Sequence, residues 1–182
     1  MRLALYYFMV VGIYFGTQTG KSEAVCAKIK NEFGDSASDP KDVSELGGDP
    51  SQFLDMDGLI CIIPTWNTGE EKNRSGTAWD DMLEKIGELD LKGKPVAICG
   101  LGDAAGYADN FVDAMEELHR YFGKAGAKMV GYVSTDGYTF TGSKSVIDDK
   151  FCGLPVDEDS ESERTDERVK QWCSQIKSEM GL

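Results

Sequence analysis

The stretch 10-VVGIYFGTQTGKSEAVCAKIKNEF-33 decides the architecture. Its first part, Val10 to Phe15, is a continuous apolar run, the pattern of a strand covered on both faces. Its last part sets Val25, Ile29 and Phe33 four residues apart, one stripe of an amphipathic helix. Only a short polar turn, Gly16 to Ser22, separates the two. A buried strand running straight into a helix is the opening of a βαβ unit, and the rest of the chain repeats it.

Leu59 to Ile63, Val96 to Cys99 and Met129 to Val133 are further unbroken apolar runs, and a weaker strand is predicted over Asp42 to Leu46. Helical stripes lie between and after them: Trp79, Met82, Leu83 and Ile86; Phe111, Met115, Leu118 and Phe122; Val169, Trp172, Cys173 and Ile176. These side chains, the two tryptophans included, read as core faces. Alternation of strand and helix predicts an α/β doubly wound parallel sheet. Right-handed crossovers then gather the strand C-termini on one edge, where such sheets bind ligands. After Met129 to Val133 a polar stretch runs to Lys150, followed by Phe151 to Val156. This reads as a last strand interrupted by a loop of about 20 residues, a length that in compact domains is usually functional. Ser160 and Glu163 predict a capping box for the final helix. Met1 to Met9 reads as an N-terminal extension, a targeting remnant, and residues 10–182 as a single domain.

Composition narrows the partners. Lys and Arg number 19 against 32 Asp and Glu, a formal charge of −13. That sign opposes a nucleic-acid binder and favours basic partners. Five cysteines are scattered without a C-x-x-C pair, which reads as reduced thiols in an intracellular compartment rather than disulfides or a metal site. The single histidine, His119, cannot build a histidine-rich metal centre and reads as a surface residue. The apolar N-terminal run is too short and glycine-interrupted for a membrane span.

The candidate chemistry falls directly after strands. Thr17-Gln18-Thr19-Gly20-Lys21-Ser22 opens the first helix, where backbone N–H groups and the helix dipole make an anion site and the hydroxyls add donors. A Walker A loop needs four residues between its glycines; Gly16 and Gly20 leave three, so a monophosphate fits better than a nucleotide triphosphate. Gly100-Leu101-Gly102-Asp103-Ala104-Ala105 formally satisfies a dinucleotide fingerprint. It lacks the acidic residue about 20 positions on and is not on the first strand. Trp66, within Pro64-Thr65-Trp66-Asn67-Thr68-Gly69, and Tyr107, within Asp103 to Asn110, put two aromatic rings on ligand-edge loops. Beside an anion loop, they suggest a flat, phosphate-bearing ring held between two π-faces.

At this point the sequence resembles the long-chain flavodoxins, especially those of cyanobacteria and algae, from about Val11 to Leu182. The resemblance rests on T-Q-T-G-K-S, P-T-W-N-T-G-E, G-L-G-D-A-A-G-Y-A-D-N-F, S-T-D-G-Y-T-F and V-D-E-D, in that order. It implies a flavodoxin-like five-stranded parallel sheet of order 2-1-3-4-5. It also implies a non-covalently bound FMN and a low-potential one-electron carrier that stands in for ferredoxin, not an enzyme. Thr17, Gln18, Thr19, Gly20, Lys21 and Ser22 would take the phosphate, and Trp66 and Tyr107 would stack on the isoalloxazine. Thr65, Asn67, Thr68, Gly69, Gly102, Asp103 and Asn110 would lie along the ring edge or its supporting loops, and Asp159 near the ribityl chain. The Asn67–Thr68 peptide would turn its carbonyl toward flavin N5 when that atom is protonated. The stretch from Gly131 to Val156 resembles the long-chain insertion, linked in the family to partner docking. Implied partners are ferredoxin–NADP reductase and photosystem I, met by a monomer in an algal plastid stroma or a bacterial cytoplasm. Ser22 replaces a frequent threonine, and Thr68 and Ala105 are smaller than the aliphatic rim residues common in relatives. The competing readings are an FMN-dependent NAD(P)H oxidoreductase on the same fold and a nucleotide-dependent phosphotransferase.

Overall fold

The computed structural model describes residues 9–182; the extension read over Met1 to Met9 lies, except for Met9, outside the described residues. Five parallel strand positions form the main sheet: β1 (Val11–Phe15), β2 (Lys41–Asp42), β3 (Gly58–Pro64), β4 (Pro95–Leu101) and β5 (Lys128–Val130), in the order β2-β1-β3-β4-β5. In register, Ile13 pairs with Ile60, Ile60 with Ala97, and Ala97 with Val130. Successive residues of β3 face opposite sides. Leu59, Cys61 and Ile63 enter one core cluster, Ile60 and Ile62 the other. Burial on both sides is why the strand reads as a solid apolar run.

Helices cover both faces. α1 (Lys21–Phe33) buries Val25, Cys26, Ile29 and Phe33 on one side. On the opposite side lie α2 (Leu83–Ile86) and α3 (Ala114–Lys124), the latter burying Met115, Leu118 and Phe122. α4 (Thr165–Met180) joins α1 through Val169, Trp172, Cys173 and Ile176. Gly100 allows the close approach of α3 to the sheet: a Cβ there would lie 2.2 Å from Met115 Cγ.

The last strand position is split, as the sequence suggests. β5 pairs with the first half of β4, and after the insertion β9 (Leu154–Val156) pairs with the second half, Leu101 opposite Val156. The insertion is more ordered than a loop. Within it β6 (Val133–Ser134), β7 (Val146–Ile147) and β8 (Lys150–Phe151) form a small antiparallel sheet. Its aromatic side chains Tyr138, Phe140 and Phe151 close on Phe111, with ring centroids 6.0–6.4 Å away.

Four local expectations are corrected. The strand over Asp42 to Leu46 ends at Asp42, whose side chain accepts a bond from Ser44 N–H (2.8 Å) and turns Val43–Leu46 into a 3₁₀ turn. The stripe from Trp79 to Ile86 is buried, but only Leu83–Ile86 is α-helical. Upstream, Asp80 draws in the N–H of Gly76 (2.8 Å) and the hydroxyl of Ser75 (2.6 Å), and Trp79 Nε1 bonds the Ile62 carbonyl (2.9 Å), which fixes turns instead. The run Met129 to Val133 breaks at Gly131, in the left-handed region at φ +82°, where Trp172 Nε1 donates to its carbonyl (2.8 Å). Finally, Ser160 does not cap α4. Its N–H and hydroxyl both bond Asp157, and the helix begins at Thr165 without a side-chain cap.

Candidate functional site

The C-terminal ends of β1, β3 and β4 feed three loops that border one cleft with about 220 Å³ of accessible space, open to solvent. The cleft is lined by Thr17, Gln18, Thr19, Lys21, Ser22, Thr65, Trp66, Thr68, Gly102, Asp103, Tyr107, Asn110 and Asp159, all of them sequence candidates. Pro64, Leu101 and Glu158 also line it. Of the remaining candidates, Gly20, Asn67 and Gly69 are not among the lining residues.

The first loop is shaped for an anion. Gly20, at φ +83°, is the N-cap of α1, and its N–H donates to Thr17 Oγ1 (2.9 Å). A glycine cap has no side-chain acceptor, so the first-turn N–H groups of α1 have no capping side chain. A Cβ built on Gly20 would meet nothing within 4 Å, which leaves open space above the loop. Lys21 is the cation among the lining residues, and its ammonium is paired with Asp159 across the mouth. An incoming anion would compete with that carboxylate for Lys21. Gln18 is tethered from its side-chain amide to the Gly76 carbonyl.

The second and third loops carry the rings. Trp66 is 45% exposed and Tyr107 55%, values that set them apart from the buried Trp79 and Trp172. Trp66 and Asn67 donate their N–H groups to the Arg74 carbonyl (3.1 Å each), and the Asn67 side chain donates to the Asn73 carbonyl (2.7 Å). The chain then turns at Gly69 (φ +82°), where Asn67 O accepts a long 3.4 Å bond from Glu70 N–H. The Thr65 hydroxyl accepts from Ala114 N–H (3.1 Å), so it also caps the start of α3. Asp103 folds its own loop by accepting from Gly106 N–H (2.8 Å), and Asn110 holds Asp113 (3.3 Å).

Two features behind Tyr107 had no reading in the sequence. Val112, buried and β-branched, sits in the left-handed region at φ +51°, a strained conformation at the entry to α3. The insertion is seated on this same segment. Phe111 N–H donates to Gly142 O (3.2 Å), Lys144 N–H to Asp113 (2.6 Å) and the Ser145 hydroxyl to Val112 O (2.7 Å). The insertion therefore backs the Tyr107 loop.

Asp157 is the other residue that sequence reading passed over, although it is the second residue of the V-D-E-D motif. Buried at the end of β9, its carboxylate accepts from Ala104 N–H (2.9 Å), Asp159 N–H (2.9 Å) and Ser160 N–H (2.8 Å), and from the Ser160 hydroxyl. Burial alone would raise its pKa; the Ser160, Ala104 and Asp159 donors outweigh it and hold the carboxyl below its ordinary value. It locks the Tyr107 loop to the segment that carries Glu158 and Asp159.

All five cysteines are buried, and burial raises their thiol pKa values, Cys152 and Cys173 to about 12. Among the described residues no group of acidic, histidine or cysteine side chains could hold a metal ion. None of the described helices is long and apolar enough to cross a membrane.

The Flavodoxin family matches residues 13–172 of the chain. A flavodoxin of a Nostoc species is 44% identical over 172 residues, covering 94% of this chain and 98% of that protein. The flavodoxin of a Synechocystis species is 43% identical, covering 92% and 95%. Among solved structures, a Fusobacterium nucleatum flavodoxin bound to flavin mononucleotide superposes with a TM-score of 0.84 at 29% identity, covering 93% of this chain and 98% of that one.

Proposed function

This chain belongs to the flavodoxin family, and on that premise we propose that its cleft seats one FMN in the arrangement its own residues suggest. As a long-chain flavodoxin it is an electron carrier rather than an enzyme, and FMN is its cofactor. Bound FMN supplies two successive one-electron steps. The protein's part is to hold the flavin, exclude water from its faces and bias its potentials.

The Thr17–Ser22 loop takes the phosphate, with uncapped N–H groups at the start of α1 and the hydroxyls of Thr17, Thr19 and Ser22 as donors. Lys21 moves its charge from Asp159 toward the phosphate. Trp66 and Tyr107 lie against the two faces of the ring. Among the described residues the Asn67 carbonyl accepts only the long bond from Glu70 N–H, which leaves it available to a ring N–H. A net hydrogen bond of about 1 kcal/mol corresponds to roughly 40 mV in a one-electron potential. Asp103, Glu158 and Asp159 on the cleft, within a chain of −13, disfavour extra negative charge on the flavin and so lower the second potential.

The observation that carries this reading is the pair of half-exposed aromatic rings beside an uncapped helix start, a combination that packing alone leaves unexplained. The test is a titration of the apoprotein followed by quenching of flavin fluorescence. FMN is expected to bind one to one, and riboflavin, which lacks the phosphate, at least tenfold more weakly. Equal affinities would overturn the phosphate assignment to Thr17–Ser22.

Redox proteins are the partners of the family. For this chain we propose basic docking faces such as those of ferredoxin–NADP reductase and photosystem I, with the carrier replacing ferredoxin as a monomer built from residues 10–182. The acidic surface supports such docking, and five buried reduced thiols suit a reducing intracellular compartment, plastid stroma or bacterial cytoplasm.

A further inference from the structure

The segment from Asn73 to Gly76 does not line the cleft, yet groups on two of the cleft's loops hang from it. The Arg74 carbonyl receives both Trp66 N–H and Asn67 N–H, the Asn73 carbonyl receives the Asn67 side chain, and the Gly76 carbonyl receives Gln18. The turn therefore inherits its position from the backbone of Asn73 and Arg74.

That backbone is fixed by a buried charge pair. Glu117, fully enclosed on α3, accepts Asn73 N–H with one carboxylate oxygen and Arg74 N–H with the other, each at 2.8 Å. The Arg74 guanidinium is 1% exposed; its Nε lies 3.5 Å from Glu117, and its Nη2 bonds Glu116, which is held in turn by Arg120. Among the described residues Arg74 Nε has no hydrogen-bond partner. Asn73 is in the left-handed region at φ +57°, which brings two consecutive N–H groups onto one carboxylate. A buried ion pair is weak evidence for stability, since apolar residues of similar volume often do as well. Here it has a geometric result that apolar residues cannot supply: it places the carbonyls of Asn73 and Arg74 beneath the turn that carries Trp66.

We propose that Glu117 and Arg74 are a positioning pair for the Trp66–Gly69 turn, fixing its height and tilt against the flavin through the Asn73–Arg74 backbone. The proposal rests on the reading that this turn faces FMN.

Glu117→Gln keeps the size of the side chain and one acceptor but removes the charge opposite Arg74. Amide hydrogen exchange of the apoprotein is expected to accelerate at least tenfold at Trp66 and Asn67 relative to the amides of β3. In the holoprotein the FMN dissociation constant should rise at least fivefold and the spacing of the two midpoint potentials should change. If exchange at Trp66 and Asn67 changes no more than in β3, the pair is a general contributor to stability and the proposal is overturned. Should Glu117→Gln not fold, Arg74→Lys gives the same comparison: selective acceleration at Trp66 and Asn67 supports the proposal, and a uniform change overturns it. The exchange measurement needs no flavin, so failure of the wild-type protein to bind FMN would strike the functional reading and leave this result standing.

Discussion

Among the described residues, Trp66 and Tyr107 are the aromatic side chains left about half exposed, at the end of a sheet whose other aromatics are buried or partly buried. Each gains contact area when a flat ring enters the cleft, and an offset stack adds about 0.5–1.5 kcal/mol beyond area burial. Trp66→Ala keeps the backbone bond to Arg74 and removes only the ring. It is expected to weaken FMN binding by about 1 kcal/mol or more, a fivefold or larger rise in Kd by fluorescence titration; an unchanged Kd would remove Trp66 from the stack. His119 offers a second test. It is half-buried rather than on the surface, with Nε2 2.7 Å from the Tyr132 hydroxyl. Burial lowers its pKa despite the opposing Glu116 carboxylate. The unfolded chain therefore takes up the proton first. The contribution to stability is complete above about pH 6.5 and is lost as pH falls from there through the lower folded value. As the only histidine, it gives one imidazole signal by NMR, whose midpoint should lie below that of the urea-unfolded chain; an equal or higher midpoint contradicts the assignment.

Elements differ in how far their own residues decide them. β1, β3 and β4 were readable because burial on both faces leaves an unbroken apolar run, and α1 because Val25, Ile29 and Phe33 fall on one stripe. The anion loop and the two ring-bearing loops were readable for the same reason: each follows such a strand. The segment around Trp79 was not, because its apolar spacing is helical while Asp80 and Ser75 satisfy the backbone in turns. The small sheet in the insertion was also hidden. Its strands are two residues long and depend on Phe111, which is distant in sequence. Asp157 escaped notice because a buried carboxylate looks the same in sequence as its exposed neighbours. Its role gives a prediction at this scale. Asp157→Asn weakens the lock between β9 and the Tyr107 loop and is expected to cost about 1.5–3 kcal/mol at neutral pH. The depressed folded pKa means that the native contribution is present above the ordinary carboxyl value near 3.9 and is lost as pH falls below it. Acid unfolding of the variant, followed by circular dichroism, should therefore be shallower there; an identical profile would contradict the role.

At the scale of the molecule, charge and fold divide the work. The parallel sheet brings three loops to one edge and makes the cleft, and the net charge of −13 is a field that attracts basic surfaces. Long-range attraction to a basic partner extends about 30 Å at 0.01 M salt and about 10 Å at 0.1 M. Association with a reductase that presents a basic face should slow steeply over that range in stopped-flow measurements, and a flat profile would argue against electrostatic docking. Thr68 lines the cleft and Ala105 is exposed, and neither carries a large apolar side chain. The central claim, a one-electron carrier that holds FMN, is tested most directly by anaerobic dithionite titration of the purified holoprotein with absorbance and potential recorded together. Two separated one-electron steps are predicted, the second at the lower potential, with no oxidation of NAD(P)H unless a reductase is added. A single two-electron step, or NAD(P)H oxidation by the protein alone, would contradict it.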